Sequence, residues 1–292
     1  SLEAGQGLKI RQTQVESGFA RVIAGGSASD LHADLTADLA KMGQQLGQAV
    51  DVGAKVPAGF ITGTLRVKRA GDDRMDFACD LVASDLRYKT DKGQLDAAKA
   101  TLKQSGHLQL AGAEVTRLVT SSFTADVDGQ VVATGSGWFD LQRGTYSVDA
   151  DVENADLAYL GSKATGFGVE GLNRYAGTGV IHVEIDRASP DGPIVSGGQA
   201  TLRNTTVDGE PLAGQDVVLA WSEASWSPEP GALSVNTAEF RSDLAHATAR
   251  QVLLKTREGL TLNGKVEAIA DLAQCFATAG RIGQWKTLPR IA

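Results

Sequence analysis

Apolar residues recur at every second position between residue 60 and about residue 265, in runs that end at turn residues. This spacing predicts antiparallel strands with one buried face, because successive side chains of a strand point to opposite faces. Residues 61–67 and 75–81 are two such runs, and the turn residues Gly71, Asp72 and Asp73 lie between them. We predict a β-hairpin over this segment.

Asp-Gly and Asn-Gly pairs predict further turns, since a type I′ turn needs positive φ at both central residues. The pairs begin at Asp128, Asp208 and Asn263. Residues 94–109 are ambiguous because Leu95, Ala98 and Leu102 also suit a helix. The remaining predicted strands are centred on residues 31–35, 119–127, 131–139, 146–152, 181–185, 200–202, 217–221, 233–235, 252–254 and 262–268.

Two segments have helical spacing, with apolar residues three or four positions apart, and we predict amphipathic helices near residues 36–50 and 269–282. Residues 37–40 and 270–273 both read Ala-Asp-Leu-Ala, and each follows an alternating segment. This match predicts repeat units that start near residues 30 and 262. We leave Ser1 and Leu2 out as a cloning remnant, and expect residues 3–292 to form a single elongated module, an interior part of a longer repeat protein.

Charge and composition exclude several classes of protein. The net charge of −7 lacks the basic surface that binds a nucleic-acid backbone. Uncharged stretches are shorter than the ~20 apolar residues of a membrane-spanning helix. Cys79 and Cys275 have no metal-ligand spacing, and we interpret them as buried thiols, with a long-range disulfide as the alternative.

Three segments resemble nucleotide-binding or calcium-binding motifs in sequence but lack a feature that each motif needs. Residues 166–171 read Gly-Phe-Gly-Val-Glu-Gly, but the dinucleotide fingerprint needs an apolar strand before it and a helix after it. Residues 259–265 resemble a P-loop, but Val266 replaces the hydroxyl residue that would bind magnesium. Residues 124–135 resemble a calcium loop whose twelfth position is Gly135 instead of a carboxylate. We expect no cofactor.

Catalytic constellations are also missing from the sequence. Asp149 and Asp151 lie on one side of a predicted strand and are best explained as a solvated face. The four histidines are scattered along the sequence. His182 lies between two apolar residues of a predicted strand, so we expect its side chain on the exposed face. We therefore predict that the protein is not an enzyme and binds no metal. The remaining enzymatic alternative is a carbohydrate-active β-sandwich, which would need paired carboxylates near Trp138, Trp221 or Trp226.

Long alternating stretches, Gly/Asp turns, few aromatic residues and the Ala-Asp-Leu-Ala segments give the chain a resemblance to a known group. It resembles the AsmA/TamB-like repetitive proteins of the Gram-negative cell envelope, most clearly at residues 34–40, 59–65 and 264–272. The resemblance implies a periplasmic β module of a membrane-anchored parent, with a folded-over sheet whose apolar groove conducts phospholipid between membranes. The predicted partners are phospholipid acyl chains.

The expected fold is mainly β: an extended antiparallel sheet with two short amphipathic helices. The sheet is either curled into a β-taco-like groove or packed as a sandwich. A groove needs one apolar face with small and aliphatic residues, whereas a packed core needs larger side chains. The competing function is a structural or adhesive module of a large surface protein without a ligand. The candidate groove residues are Leu65, Val67, Phe77, Leu81, Val127 and Val183.

Overall fold

The computed structural model is dominated by β-strands, as the period-two pattern predicts. It describes residues 9–27, 29–49, 57–89, 94–112, 114–164, 171–211, 216–227, 232–255 and 261–271. Strands pair in sequence order, each with its predecessor and its successor, except for one short strand off this path. The described strands form a single antiparallel sheet, which confirms the predicted mainly β fold.

The chain divides into two compact units, with the boundary inside a strand after Ala150. The first unit holds the strands β1–β8, the first part of β9 and the helix α1. These elements are β1 Lys9–Glu16, β2 Ala20–Ser27, β3 Asp30–Asp38, α1 Leu39–Ala49, β4 Ala58–Arg69, β5 Arg74–Lys89, β6 Gln94–Ala111, β7 Glu114–Val127, β8 Val131–Asp140 and β9 Thr145–Asp156.

The second unit begins with the last part of β9 and contains the helix α2. A short 3-10 helix, Leu172–Arg174, precedes its next strand. Its elements are α2 Leu157–Ala164, β10 Tyr175–Arg187, β11 Ile194–Val207, β12 Glu210–Pro211, β13 Val217–Ser227, β14 Ala232–Arg241, β15 Ala245–Lys255 and β16 Thr261–Ala270. The short strand β12 pairs only with β11, so that β11 and β13 are neighbours.

Turn chemistry explains two of the hairpins. Asp128 and Asp208 have φ of 56° and 53°, and the glycine after each is also positive, which confirms both Asp-Gly turns. The prediction of an Asn-Gly turn at Asn263 is wrong, because β16 continues through this residue. The register of β15 against β16 shifts at this point, and the bulged residue Gln251 has a φ of 51°. Asn263 and its glycine lie opposite that bulge instead of forming a turn.

The helix predicted over residues 36–50 is confirmed as α1, which starts three residues later. Asp38 ends β3, and its side-chain oxygen accepts a hydrogen bond from the Lys41 amide at 3.1 Å, so it caps the helix. This contact lowers the pKa of the Asp38 carboxyl. The ambiguous segment around Leu102 is the strand β6.

The second predicted helix lies almost wholly outside the described residues; its first two predicted positions, Ile269 and Ala270, belong to β16. Residues 272–282 lie outside the described residues, as does most of the glycine-rich segment 166–171. A helix that the spacing did not predict is α2. Residues 155–158 also read Ala-Asp-Leu-Ala, and the Asp156 carboxylate caps α2 through the Tyr159 amide at 2.8 Å, as Asp38 caps α1.

The strand after each helix carries a matching irregularity. Gly59 in β4 and Gly177 in β10 have φ of 131° and 133°, and each follows its helix start by the same number of residues. Asp85 and Asn204, in the partner strands, both have a φ of 51°. A methyl group on either glycine would lie within 3.0 Å of a backbone oxygen of the partner strand. The two units therefore use the same β-bulge after the same strand-to-helix motif.

Candidate functional site

The two faces of the first unit differ in chemistry, and strand register shows which residues share a face. Leu81 lies between Gly63 of β4 and Leu102 of β6, and Leu102 lies opposite Ala125 of β7. We call this side of β4–β8 the apolar face. The other side, the polar face, carries rows such as Thr64, Asp80, Lys103, Thr124 and Thr134.

Five of the six predicted groove residues lie on the apolar face. Val67 pairs with Phe77, and Leu65 pairs with Cys79. Val127 lies at the far end of β7, opposite Ala100. The structure therefore brings Leu65, Val67, Phe77, Leu81 and Val127 onto one surface. Val183 belongs to the second unit, where it lies opposite Gly198. Lipid contact by these residues stays a prediction.

Glycines of the apolar face mark places where neighbouring strands approach closely. A methyl group on Gly106 would lie 1.9 Å from the carbonyl oxygen of Val119, and one on Gly135 would lie 2.2 Å from that of Asp149. A methyl group on Gly63 would lie 2.4 Å from the Asp80 carbonyl oxygen. Only glycine fits at these positions, because side chains on this face would meet the backbone of the next strand.

A cleft of about 280 Å³ opens on the apolar face between β6 and β9. Leu118 and Phe139 form one end of it, and the Phe139 ring stacks on Tyr146 with centroids 6.3 Å apart. Phe123 and Leu102 line the other end. The cleft lies at the lower end of the ~300–1,000 Å³ range of ligand pockets. The groove prediction did not include its main aromatic residues.

The apolar face is not covered by a second layer in the described part of the chain. None of the described large side chains is below 2% exposed, and Leu65 and Phe139 are 42% and 38% exposed. A closed sandwich core would bury such residues completely. The described residues therefore leave an apolar surface accessible to a ligand.

Two polar side chains interrupt the apolar face inside the cleft. The Gln104 side-chain amide donates a hydrogen bond of 2.6 Å to the Thr120 hydroxyl oxygen. Thr120 lies between Gly106 and Gly137, neither of which has a side chain that could cover it. The cleft thus has a polar floor and apolar walls.

Cys79, next to Gln104 on the apolar face, is half-buried and its thiol is free. Burial raises the pKa of this thiol, and the neighbouring Asp80 charge adds to the effect. In a Cys275→Ser background, we expect iodoacetamide to alkylate Cys79 more slowly at pH 8 than a model thiol peptide, because less thiolate is present. The rate should keep rising at pH values where the peptide has reached its plateau. A pH–rate profile that coincides with the peptide's would contradict this.

The polar face carries exposed ion pairs. The Arg66 guanidinium donates to Asp30 at 2.7 Å and holds the pKa of that carboxyl below its usual value. Lys103 lies 3.9 Å from Asp80 on the neighbouring strand. Such pairs contribute little to stability. They keep this side of the strands hydrated, as predicted for the polar positions of the alternation.

In the second unit, Val183, Gly198 and Trp221 lie side by side on three adjacent strands. The Trp221 ring covers Gly198, and its indole nitrogen donates to the Ser196 hydroxyl at 3.1 Å. On the same strand as Val183, His182 lies 2.9 Å from Asp151 and is partly exposed. Sequence spacing did not reveal this pair, because the two residues are far apart in the chain and only strand pairing joins them.

No protein-family model, curated protein or solved structure matches this chain. In the described part of the chain, neither helix has the length and apolar character needed to cross a membrane.

Proposed function

We propose that the apolar face of the first unit binds the hydrocarbon part of lipids. The observation that carries the proposal is the cleft between Leu118, Phe139 and Phe123, which is apolar, concave and uncovered in the described residues. Large accessible apolar surfaces in soluble domains mark places where another apolar molecule binds. Among the described residues, the side chains that line the cleft include no carboxylate, imidazole or amine, which favours binding over catalysis.

Binding by this surface needs no directed contact along the acyl chain. Each methylene removed from water contributes ~0.8 kcal/mol, so several methylenes against the cleft give useful affinity. The cleft alone is too small for a whole phospholipid, and rows of half-buried residues extend from it across β4–β7, from Leu102 to Leu81 and from Phe77 to Val67. The proposed lipid path follows these rows.

The resemblance to AsmA/TamB-like proteins supplies the setting of the proposal. In that setting the chain is a non-enzymatic module of the periplasm of a Gram-negative-type bacterium. Its parent would be anchored in a membrane and would conduct phospholipid between the two membranes of the envelope. The apolar face of β4–β8 would be one section of that path.

The test compares two substitutions on the same strand but on opposite faces. Leu118→Glu places a charge against the cleft, whereas Thr124→Glu places the same charge on the polar face, opposite Lys103. We expect Leu118→Glu to lower the capture of phospholipid from vesicles about tenfold, because an unpaired charge disfavours burial of an acyl chain beside it. Thr124→Glu should bind like the unmodified protein. Lipid extraction and mass spectrometry of the reisolated protein give the bound amount.

Circular dichroism and thermal unfolding of both variants control for folding. Equal lipid capture by the two variants would contradict the proposal, as would the absence of captured lipid in the unmodified protein. In either case the competing interpretation, a structural or adhesive module without a ligand, would be the better one.

A further inference from the structure

The floor of the cleft has hydrogen-bonding capacity that the protein does not use. Gln104 donates one of its two amide N–H groups to Thr120, and the Thr120 hydroxyl accepts it. The second N–H of Gln104 and the hydroxyl hydrogen of Thr120 have no further partner among the described residues. Two donors therefore remain at the centre of an apolar cleft.

The surroundings of these donors make them accessible to a ligand atom. Thr120 is flanked by Gly106 on β6 and by Gly137 on β8. Neither glycine has a side chain that could cover Thr120. Gln104 and Thr120 both line the cleft and are partly exposed, so an atom of a ligand in the cleft can reach them.

The chemistry of the lining selects the class of ligand group. Charged side chains are absent from the residues that line the cleft in the described structure. A carboxylate or phosphate placed there would be desolvated without a counter-ion, which is strongly unfavourable. A neutral carbonyl oxygen, by contrast, accepts hydrogen bonds from both donors and needs no counter-ion.

We propose that Gln104 and Thr120 bind the ester carbonyl of an acyl lipid, whose chain lies against Leu118, Phe123 and Phe139. This inference rests on the proposed lipid-binding function and adds a specificity to it. Both residues are specificity-determining: they favour acyl esters over hydrocarbon chains without a carbonyl. The polar pair would also fix where along the apolar face the head of the chain stops.

The test uses two probes that differ only at the carbonyl. These are a phosphatidylcholine with two short acyl chains in ester linkage and its diether analogue of the same chain length, both titrated below their micelle concentrations into the full chain. We expect calorimetry to show about 25-fold tighter binding of the diester, the effect of two net hydrogen bonds of about 1 kcal/mol each. Thr120→Val and Gln104→Leu should each lower the ratio to about fivefold, and the double variant should bring it close to one, without weakening binding of the diether.

The control variant is Ser122→Ala, which removes a hydroxyl bonded to Ser105 at 2.9 Å on the polar face of the same two strands. It should leave the diester preference unchanged. Equal binding of both probes by the unmodified protein would overturn this inference and leave the lipid-binding proposal intact. Binding of neither probe would overturn both. A diester preference that is undiminished in the double variant Thr120→Val/Gln104→Leu would overturn the inference, because the preference would then come from other residues.

Discussion

Gly198→Ala should lower the free energy of unfolding of the second unit by about 3 kcal/mol, the upper part of the range for overpacking. The added methyl group would lie 2.3 Å from the His182 carbonyl oxygen on β10 and 2.8 Å from the Trp221 ring on β13. Both neighbours of β11 would have to move, and the Trp221 ring would lose its position over Gly198. Urea unfolding followed by tryptophan fluorescence and circular dichroism measures the change.

Gly197→Ala is the matched control, because it makes the same substitution one residue earlier on the opposite face of β11. The nearest atom to its methyl group would be the Trp221 carbonyl oxygen at 3.9 Å, an ordinary contact. Alanine at an unstrained position restricts the unfolded chain, so we expect unchanged stability or a gain of up to ~1 kcal/mol. If the two variants unfold at the same urea concentration, close strand approach at Gly198 is not the reason for its glycine.

The strands could be predicted from the sequence because side-chain alternation is a local signal. Alternation of apolar and polar residues predicted the hairpin from Ile61 to Leu81. The preference of Asp-Gly pairs for positive φ predicted the turn at Asp128. The same turn rule failed at Asn263, where the β15 bulge at Gln251 determines the local geometry. A bulge depends on pairing with the partner strand, and a short stretch of sequence carries no information about that pairing.

The missed helix α2 shows a second limit. It has eight residues, fewer than the window over which helical spacing is recognised, and Gly161 in its interior lowers its helix propensity. Packing explains that glycine, since a methyl group there would lie 2.3 Å from the Leu172 carbonyl oxygen. The signal that could have found α2 is the Ala-Asp-Leu-Ala segment at residues 155–158, which matches the start of α1.

The candidate site could be predicted only in part for the same reason. Alternation placed Leu65, Phe77 and Leu81 on an apolar face, and register confirms that they share it. The cleft and its polar floor depend on the irregular pairing of β6 and β7, whose register shifts between Ser105 and Gly106. That shift brings Thr120 beside Gln104, a contact that spacing along either strand does not reveal.

Ala155→Asp should cost the second unit at least about 4 kcal/mol of stability, since it buries an unpaired carboxylate. Ala155 is the first residue of the motif that ends β9, and its side chain is 0% exposed. Urea unfolding at pH 7 gives the loss directly.

The control is Ala158→Asp, three residues later in the first turn of α2, where the side chain is exposed. A carboxylate near a helix N-terminus is mildly favourable, so this variant should be as stable as the unmodified protein or slightly more stable. The pH dependence gives an independent check on the mechanism. Burial raises the pKa of the carboxyl introduced by Ala155→Asp in the folded state, so the stability deficit of that variant should shrink as the pH falls toward ~4, where the unfolded carboxyl also binds a proton. A deficit that stays constant from pH 7 to pH 4 would show that lost packing, and not buried charge, destabilises the variant.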